Sequence, residues 1–185
     1  MGRGAASIYH RTAALLLGVV VLLLMSAPTL PASLEYAVKA TYLYKFVPFI
    51  EWPASSFPSP DSPINICIFG KDPFGQVLDQ AAAGQRIDGR TIVVKRVPDI
   101  AGSTGCHIVY MATTTDPTVL RSFESLRGQP VLTVSDSIAS PADRGIINFL
   151  IEDNRVRFEI DEHAAEQSHL TVSSKLLSLA YQKAK

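Results

Sequence analysis

The fold is decided by one stretch, Ile64-Asn65-Ile66-Cys67-Ile68-Phe69-Gly70-Lys71-Asp72-Pro73-Phe74-Gly75. Its first six residues are mostly apolar and rich in β-branched side chains, and a glycine follows them. Pro73 then stands where a helix through Val77 and Leu78 would begin. This order predicts a strand, a turn and a helix, with the strand buried on both faces because its apolar residues run continuously.

The N-terminal residues have the features of a secretory signal peptide. Two arginines precede an apolar run from Ala13 to Met25, and small residues follow it. The run is shorter than the roughly 20 residues that cross a bilayer as a helix, although without cleavage it would remain as an anchor. We predict removal of residues 1–32, with Ala27 as an alternative cleavage site, and export of residues 33–185 as one domain.

Composition excludes some classes of protein for the exported part. Residues 33–185 carry 15 basic and 17 acidic side chains, a formal charge of −2. A nucleic-acid-binding protein normally shows a basic excess, so that class is disfavoured. The most apolar stretch that remains, residues 34–50, contains Glu35, Lys39 and Lys45 and is not predicted to span a membrane.

The two cysteines become informative if the protein is exported, because an oxidising compartment preserves disulfides. Cys67 and Cys106 form the only available pair, and both have strand-like surroundings that adjacent strands would bring together. Closing a loop of about 40 residues stabilises a fold by about 4 kcal/mol in the chain-entropy model. A redox-active pair is disfavoured because the CxxC spacing is missing.

The remaining patterns predict a single α/β domain with a mixed, largely parallel sheet of about six strands flanked by helices. The strands are predicted over residues 64–69, 91–97, 106–110, 129–134, 145–151 and 155–160. The last two form an antiparallel C-terminal hairpin around residues 152–154. Helices are predicted over residues 34–50, 74–83, 117–126, 162–167 and 173–183, the last burying Leu176, Leu177, Leu179 and Ala180.

The first predicted helix, residues 34–50, is rich in aromatic residues. We expect it to end near Trp52-Pro53, because proline cannot continue a helix. Its apolar residues cover most of its circumference, which indicates a buried helix packed against the sheet. A docking surface for a partner, formed by its outer aromatic side chains, is the alternative.

The motifs do not indicate catalysis or a bound cofactor. The turn Gly70–Gly75 lacks the glycine patterns of phosphate-binding and dinucleotide-binding loops. His107, His163 and His169 lack metal-ligand spacing, and His107 is interpreted as a hydrogen-bonded residue on the face of its strand opposite Cys106. No serine lies in a GxSxG motif, and Asp136 is predicted to cap a short helix. We therefore expect no catalytic residue, metal or cofactor.

A row of polar residues on the last hairpin is the candidate binding surface. If the apolar residues of its second strand face the core, alternation places the arginines and Glu159 on the opposite face. Polar residues of the first strand join them. This hairpin row consists of Asn148, Glu152, Arg155, Arg157 and Glu159. We interpret it as a surface for a partner or ligand, with an ordinary solvated sheet face as the alternative.

Several segments together resemble the YfiR-like periplasmic proteins. They run in order over nearly all of residues 33–185: Leu34-Glu35-Tyr36-Ala37-Val38-Lys39-Ala40, Phe49-Ile50-Glu51-Trp52-Pro53, Ile64-Asn65-Ile66-Cys67, Asp72-Pro73-Phe74-Gly75, Cys106-His107-Ile108, Pro130-Val131-Leu132-Thr133-Val134-Ser135-Asp136, Ile147-Asn148-Phe149, Glu152-Asp153-Asn154-Arg155-Val156-Arg157-Phe158-Glu159-Ile160 and Ser173-Ser174-Lys175-Leu176-Leu177. The resemblance implies an exported regulator that holds an inner-membrane diguanylate cyclase inactive by binding its periplasmic part. It also implies that an outer-membrane lipoprotein can sequester the regulator, and that Cys67 and Cys106 form a structural bridge. Members can carry a second cysteine pair, which this chain lacks.

Two functions from different classes are therefore considered. The first is a non-enzymatic periplasmic inhibitor of a diguanylate cyclase or another membrane sensor, with a homodimer left open. The second is a periplasmic small-molecule-binding module, with its ligand at the carboxyl ends of the strands, where open α/β sheets usually bind ligands. A hydrolase is disfavoured because the sequence supplies no nucleophile with a base.

Overall fold

A central seven-stranded sheet organises the computed structural model, which describes residues 32–136, 138 and 140–182. The strands found among these residues are β1 Ile50–Glu51, β2 Ile64–Phe69, β3 Arg86–Ile87, β4 Arg90–Val97, β5 Ile108–Met111, β6 Leu132–Asp136, β7 Ile147–Glu152, β8 Arg155–Ile160 and β9 Thr171–Val172. The α-helices in the same part of the chain are α1 Ala32–Lys45, α2 Gln76–Ala82, α3 Pro117–Glu124, α4 Glu162–Gln167 and α5 Ser174–Leu177.

The sheet is mixed and largely parallel, as the sequence predicts. Its strand order is β3-β4-β2-β5-β6-β7-β8, in which β4, β2, β5, β6 and β7 are parallel while β3 and β8 are antiparallel to their neighbours. All six predicted strands are present. The two-residue strands β1, β3 and β9 were not predicted, because two residues are too few to show an alternating pattern.

Strand β2 lies inside the sheet and is buried on both faces, which confirms the interpretation of the opening stretch. The side chains of Ile66, Cys67 and Ile68 are fully buried. One face, with Cys67 and Phe69, packs with Phe123 and Leu126 in and after α3. The other face lies against α1 and α2, where Phe74 and Tyr110 meet edge to face at 4.7 Å between ring centroids. The sheet therefore separates two cores.

Helix α1 is shorter than predicted and ends at Lys45. Pro48 has no N–H to continue the helical hydrogen bonds and disfavours helical geometry at the preceding residue. The chain instead forms a short 3-10 helix at Val47–Phe49 and then β1. The aromatic side chains of Tyr42 and Phe46 pack inward against β7 and β8, which confirms the interpretation of this helix as packed against the sheet. A docking surface formed by its outer aromatic side chains stays a prediction.

The C-terminal helix prediction is also wrong in its length. Helix α5 covers only Ser174–Leu177, and Leu179 is 62% exposed instead of buried. The Tyr181 N–H donates a hydrogen bond of 2.7 Å to the Phe158 carbonyl oxygen, so the chain leaves the helix to pair with β8. Leu176 is buried as predicted, and position 183 lies outside the described residues.

Two helix boundaries depend on local capping. Helix α2 begins at Gln76, two residues later than predicted, because the Asp72 carboxylate accepts the N–H groups of Phe74 and Gly75 and holds them in a turn. Helix α3 begins at the predicted Pro117, with Asp116 accepting the N–H of Thr118 as its cap.

The predicted disulfide joins Cys67 in β2 to Cys106 just before β5, with 6.0 Å between the Cα atoms. The described residues all belong to one compact unit, Pro31–Lys185. The predicted signal peptide lies outside them, except for Ala32, at which α1 begins. Among these residues, no helix has the length and apolar character that crossing a membrane requires.

Candidate functional site

The candidate surface is presented by the hairpin of β7 and β8. Its two-residue turn consists of Asp153 and Asn154, whose φ angles of 49° and 56° match the type I′ turns that fit twisted hairpins. The register pairs Asn148 with Glu159, Leu150 with Arg157, and Glu152 with Arg155. The five residues of the hairpin row therefore share one face, as predicted.

The row changes from buried to exposed along the strands. Asn148 is only 3% exposed, and its Oδ1 accepts hydrogen bonds from the Ser135 hydroxyl at 2.8 Å and from the Ile138 N–H at 3.3 Å. It joins β7 to the end of β6 and is not free to contact a partner. The side chains of Arg155 and Arg157 are exposed and form no hydrogen bond or ion pair within the described part of the chain. The exposed half of the row thus carries unpaired positive charge.

The buried half of the row borders a cavity of about 520 Å³, here named the hairpin cavity. At its wall, Arg144 forms an ion pair of 2.8 Å with Glu159, and its Nε donates to the Ile138 carbonyl oxygen at 2.8 Å. Other lining residues are Asn148, Asp161, Glu162, Leu177, Ala180 and Tyr181. The cavity therefore combines a paired arginine, several carboxylates and a small apolar wall.

The carboxylates around this cavity affect Tyr181. The pKa of its hydroxyl lies above the ordinary value, first because of desolvation and then because of the negative charges of Glu152, Asp153 and Glu159. A hydrogen bond with the Glu152 side chain also raises the pKa of Tyr181, so the hydroxyl is a donor to a neighbouring carboxylate at the mouth of the cavity.

The carboxyl ends of β5 and β6, where the sequence suggests a ligand crevice, are covered by α1. Lys39 is fully buried, and its Nζ donates to Asp136 Oδ1 at 2.6 Å and also to Glu35. The Tyr110 hydroxyl donates to Asp136 Oδ2 at 2.7 Å. The predicted capping role of Asp136 is wrong, because the next described helix, the 3-10 helix Pro141–Asp143, has Ser140 at its N-cap position. The Asp136 carboxylate binds side chains of α1 and β5.

Burial is the main reason that the pKa of Tyr110 is strongly raised, and the Asp136 charge adds to it. Tyr110 thus remains a proton donor to the carboxylate. Sequence reasoning missed this cluster, since Lys39 and Asp136 are 97 positions apart. The available signal was a lysine within an aromatic helix and an aspartate ending an apolar strand, two groups that need partners if buried.

Other candidate groups for chemistry have structural partners. The Ser135 hydroxyl donates to Asn148 and accepts the Gly145 N–H at 3.0 Å. His107 is 3% exposed, with Nδ1 accepting the Asn65 N–H at 3.1 Å and Nε2 donating to the Ser56 carbonyl oxygen at 3.2 Å. This confirms His107 as a hydrogen-bonded residue. The described residues contain no group of His, Cys, Asp or Glu that could hold a metal ion.

Comparison with protein families gives a match to the YfiR/HmsC-like family model over residues 36–181. The chain belongs to the YfiR/HmsC-like family. A search of curated proteins gives no match. The YfiR/HmsC-like match begins within α1 and ends at the Tyr181 wall of the hairpin cavity. It therefore includes the disulfide, the Lys39–Asp136 pair and the whole hairpin row.

Proposed function

We propose that this protein is an exported, non-enzymatic regulator that binds the periplasmic part of an inner-membrane diguanylate cyclase and holds it inactive. Membership of the YfiR/HmsC-like family supports this proposal, as do the apolar N-terminal run and a disulfide suited to an oxidising compartment. The proposed contact surface rests on one observation: Arg155 and Arg157 on β8 are exposed, and their side chains form no ion pair among the described residues.

The hairpin row has the composition of an interface. Arginine is enriched in protein interfaces, where it pairs with carboxylates and covers apolar area with its stem. Leu150 lies between the polar residues of the row and is half-buried, so it can form a small apolar centre. The partner surface that fits has acidic groups opposite Arg155 and Arg157 around an apolar contact for Leu150.

Inhibition requires that the regulator bind the inactive conformation of the cyclase more tightly than the active one. A shift from 1:99 to 99:1 needs about a 10⁴-fold difference in affinity, or about 5.5 kcal/mol. Two ion pairs formed by the arginines, with an apolar contact at Leu150, can supply part of this difference in affinity. They do so only if the carboxylates of the cyclase face the arginines in the inactive conformation and not in the active one. The arginines are therefore expected to determine inhibition more than folding.

The proposal is tested by deleting the gene in the source bacterium and measuring cyclic di-GMP and surface attachment. We expect both to rise and to return to normal with the wild-type gene. The Arg155→Glu/Arg157→Glu double variant should not restore them, although it accumulates as a folded protein. The matched control, Arg121→Glu at an exposed position of α3, should restore them fully. Unchanged cyclic di-GMP in the deletion strain contradicts the cyclase assignment.

A second candidate function, a small-molecule-binding module, is favoured by the hairpin cavity. Its volume lies within the 300–1,000 Å³ typical of ligand pockets. A metabolite at 100 times its Kd should stabilise the fold by about 2.7 kcal/mol, which a thermal-shift screen detects. Glu159→Gln should abolish the shift, because it breaks the ion pair at the cavity wall. A screen without shifts counts against this function and leaves the regulator proposal standing.

A further inference from the structure

Among the described residues, one edge of the sheet is open along most of its length. Strand β3 pairs with β4 only through Arg86 with Thr91 and Ile87 with Arg90, although β4 continues to Val97. No strand among the described residues pairs with the outer side of residues 93–97. An edge strand with free N–H and C=O groups is a template for another strand.

The β3–β4 turn shows which backbone groups face outward. Asp88 and Gly89 form a two-residue turn with φ angles of 50° and 81°, so the flanking residues form a hydrogen-bonded pair. The flanking pair is Ile87 with Arg90. The N–H of Ile92, two residues after Arg90, points to the same side as the N–H of Arg90 and donates to the Gln85 carbonyl oxygen at 3.4 Å. Since successive residues alternate, the N–H and C=O groups of Val94 and Arg96 also face the open side.

The opposite edge of the sheet is protected differently. There the Phe158 carbonyl oxygen on β8 accepts the Tyr181 N–H at 2.7 Å, so the C-terminal segment already pairs with that strand. Strand β4 has no such cover within the described residues. The two edges are therefore not equivalent, and the β4 edge is the one able to accept a full strand.

The side chains of β4 suit strand pairing. Most of its residues are β-branched, and Val93 is 36% exposed at the centre of the strand. Arg96 is held by ion pairs with Asp72 and Asp79, whereas the exposed Lys95 forms none within the described part of the chain. An apolar side chain and an unpaired positive charge thus lie side by side on the same face.

We propose that the β4 edge binds an extended, acidic segment of a partner polypeptide by adding it to the sheet as a strand. Its backbone pairs with Val94 and Arg96, an apolar side chain packs on Val93, and a carboxylate pairs with Lys95. A second copy of this chain is a poorer occupant, because its β4 contains no acidic residue. This inference is independent of the cyclase proposal, since it concerns the other end of the sheet.

The test uses the full protein purified from the periplasm of an expression host and labelled with ¹⁵N. The probes are two capped heptapeptides, Thr-Val-Thr-Glu-Thr-Val-Thr and Thr-Val-Thr-Lys-Thr-Val-Thr, in which the valines and the charged residue share one face of an extended strand. We expect saturable binding of the Glu peptide, at least about tenfold tighter than the Lys peptide, with slowed amide exchange at Val94 and Arg96. Equal binding of both peptides, or protection elsewhere, overturns the proposal.

Variants separate the backbone and charge contributions. Val94→Pro removes an outward N–H without removing a hydrogen bond to β2, so it should lose Glu-peptide binding. Lys95→Glu should reverse the peptide preference and remains informative if the proline variant fails to fold. Arg121→Glu, the same charge change on α3, should bind like wild type. A dimer in sedimentation that Val94→Pro abolishes, without peptide binding, overturns the proposal in favour of a second copy.

Discussion

Lys39 is a fully buried charge whose stability depends on its partners. Its ammonium group binds Asp136 and Glu35 and lies 5.0 Å from the centre of the Tyr36 ring. Removing one partner of a buried ion pair leaves an uncompensated charge, whereas replacing both partners with neutral groups is often tolerated. The cluster fixes α1 to the ends of β5 and β6.

The first prediction follows from this asymmetry. Asp136→Asn should lower the free energy of unfolding by about 3 kcal/mol, because Lys39 loses its most buried carboxylate. The double variant Lys39→Met/Asp136→Asn should lose less than the sum of the single variants. Urea denaturation of all four proteins measures this coupling. Strictly additive losses would show that the two residues do not act as a pair.

A second prediction concerns His107 and acid. Burial lowers the pKa of His107; the hydrogen bond to Ser56 partly opposes this, and the nearby charges of Arg90 and Lys95 lower the pKa further. Below pH 6.5 the unfolded chain therefore binds a proton at His107 that the folded protein does not bind. Stability should fall by up to about 1.4 kcal/mol per pH unit as the pH drops from 6.5 towards the folded-state pKa.

His107→Gln should remove this part of the acid sensitivity, although it lowers stability at neutral pH by disturbing the hydrogen bonds to Asn65 and Ser56. The exposed His163 provides the control, and His163→Gln should keep the wild-type slope. Denaturation midpoints at pH 7.5, 6.5 and 5.5 test the prediction. Identical slopes in wild type and His107→Gln would contradict it.

At the scale of the elements, what the sequence predicts correctly is local. Strand β2 could be predicted because its apolar run and its turn are adjacent in the chain. The shared face of the hairpin row followed from alternation alone. The buried position of Asn148 did not, since it depends on Ser135 in another strand. The sequence predicts α5 to be too long, because the end of this helix is set by the hydrogen bond between Tyr181 and Phe158, two residues that are distant in sequence.

A third prediction concerns the start of β7. A Cβ atom on Gly145 would lie 2.6 Å from the Thr133 carbonyl oxygen, closer than real contacts allow. Because the nearest atoms belong to the backbone of Thr133 and Val134, they cannot move without disturbing the pairing of β6 with β7. Gly145→Ala should therefore destabilise the fold by about 2 kcal/mol, as overpacking of a core does.

Thermal melting measures this effect, since 1 kcal/mol corresponds to a shift of about 2–4 °C in Tm for a domain of this size. Gly102→Ala is the matched control, because its added Cβ would lie no closer than 3.4 Å to Val97. We expect that control to melt within about 1 °C of wild type. Equal Tm values for the two variants would mean that the β6–β7 contact can relax.

For the whole molecule, the sheet separates the two proposed surfaces. The hairpin row lies on the last two strands and the open edge on β4, with β2, β5 and β6 between β4 and β7. At about 4.8 Å per strand, the β4 edge and β8 are about 24 Å apart. A partner held at one surface therefore leaves the other accessible. Both surfaces depend on the rigidity of the strands between them.

The disulfide is the covalent support of those central strands, and it leads to the last prediction. It closes a 39-residue separation between β2 and the start of β5, so reduction should lower the free energy of unfolding by about 4 kcal/mol. Cys67→Ala/Cys106→Ala should match the reduced wild type and be insensitive to reductant. Urea denaturation with and without dithiothreitol measures both. Wild type that unfolds at the same urea concentration in both conditions would show that the bridge does not stabilise the fold.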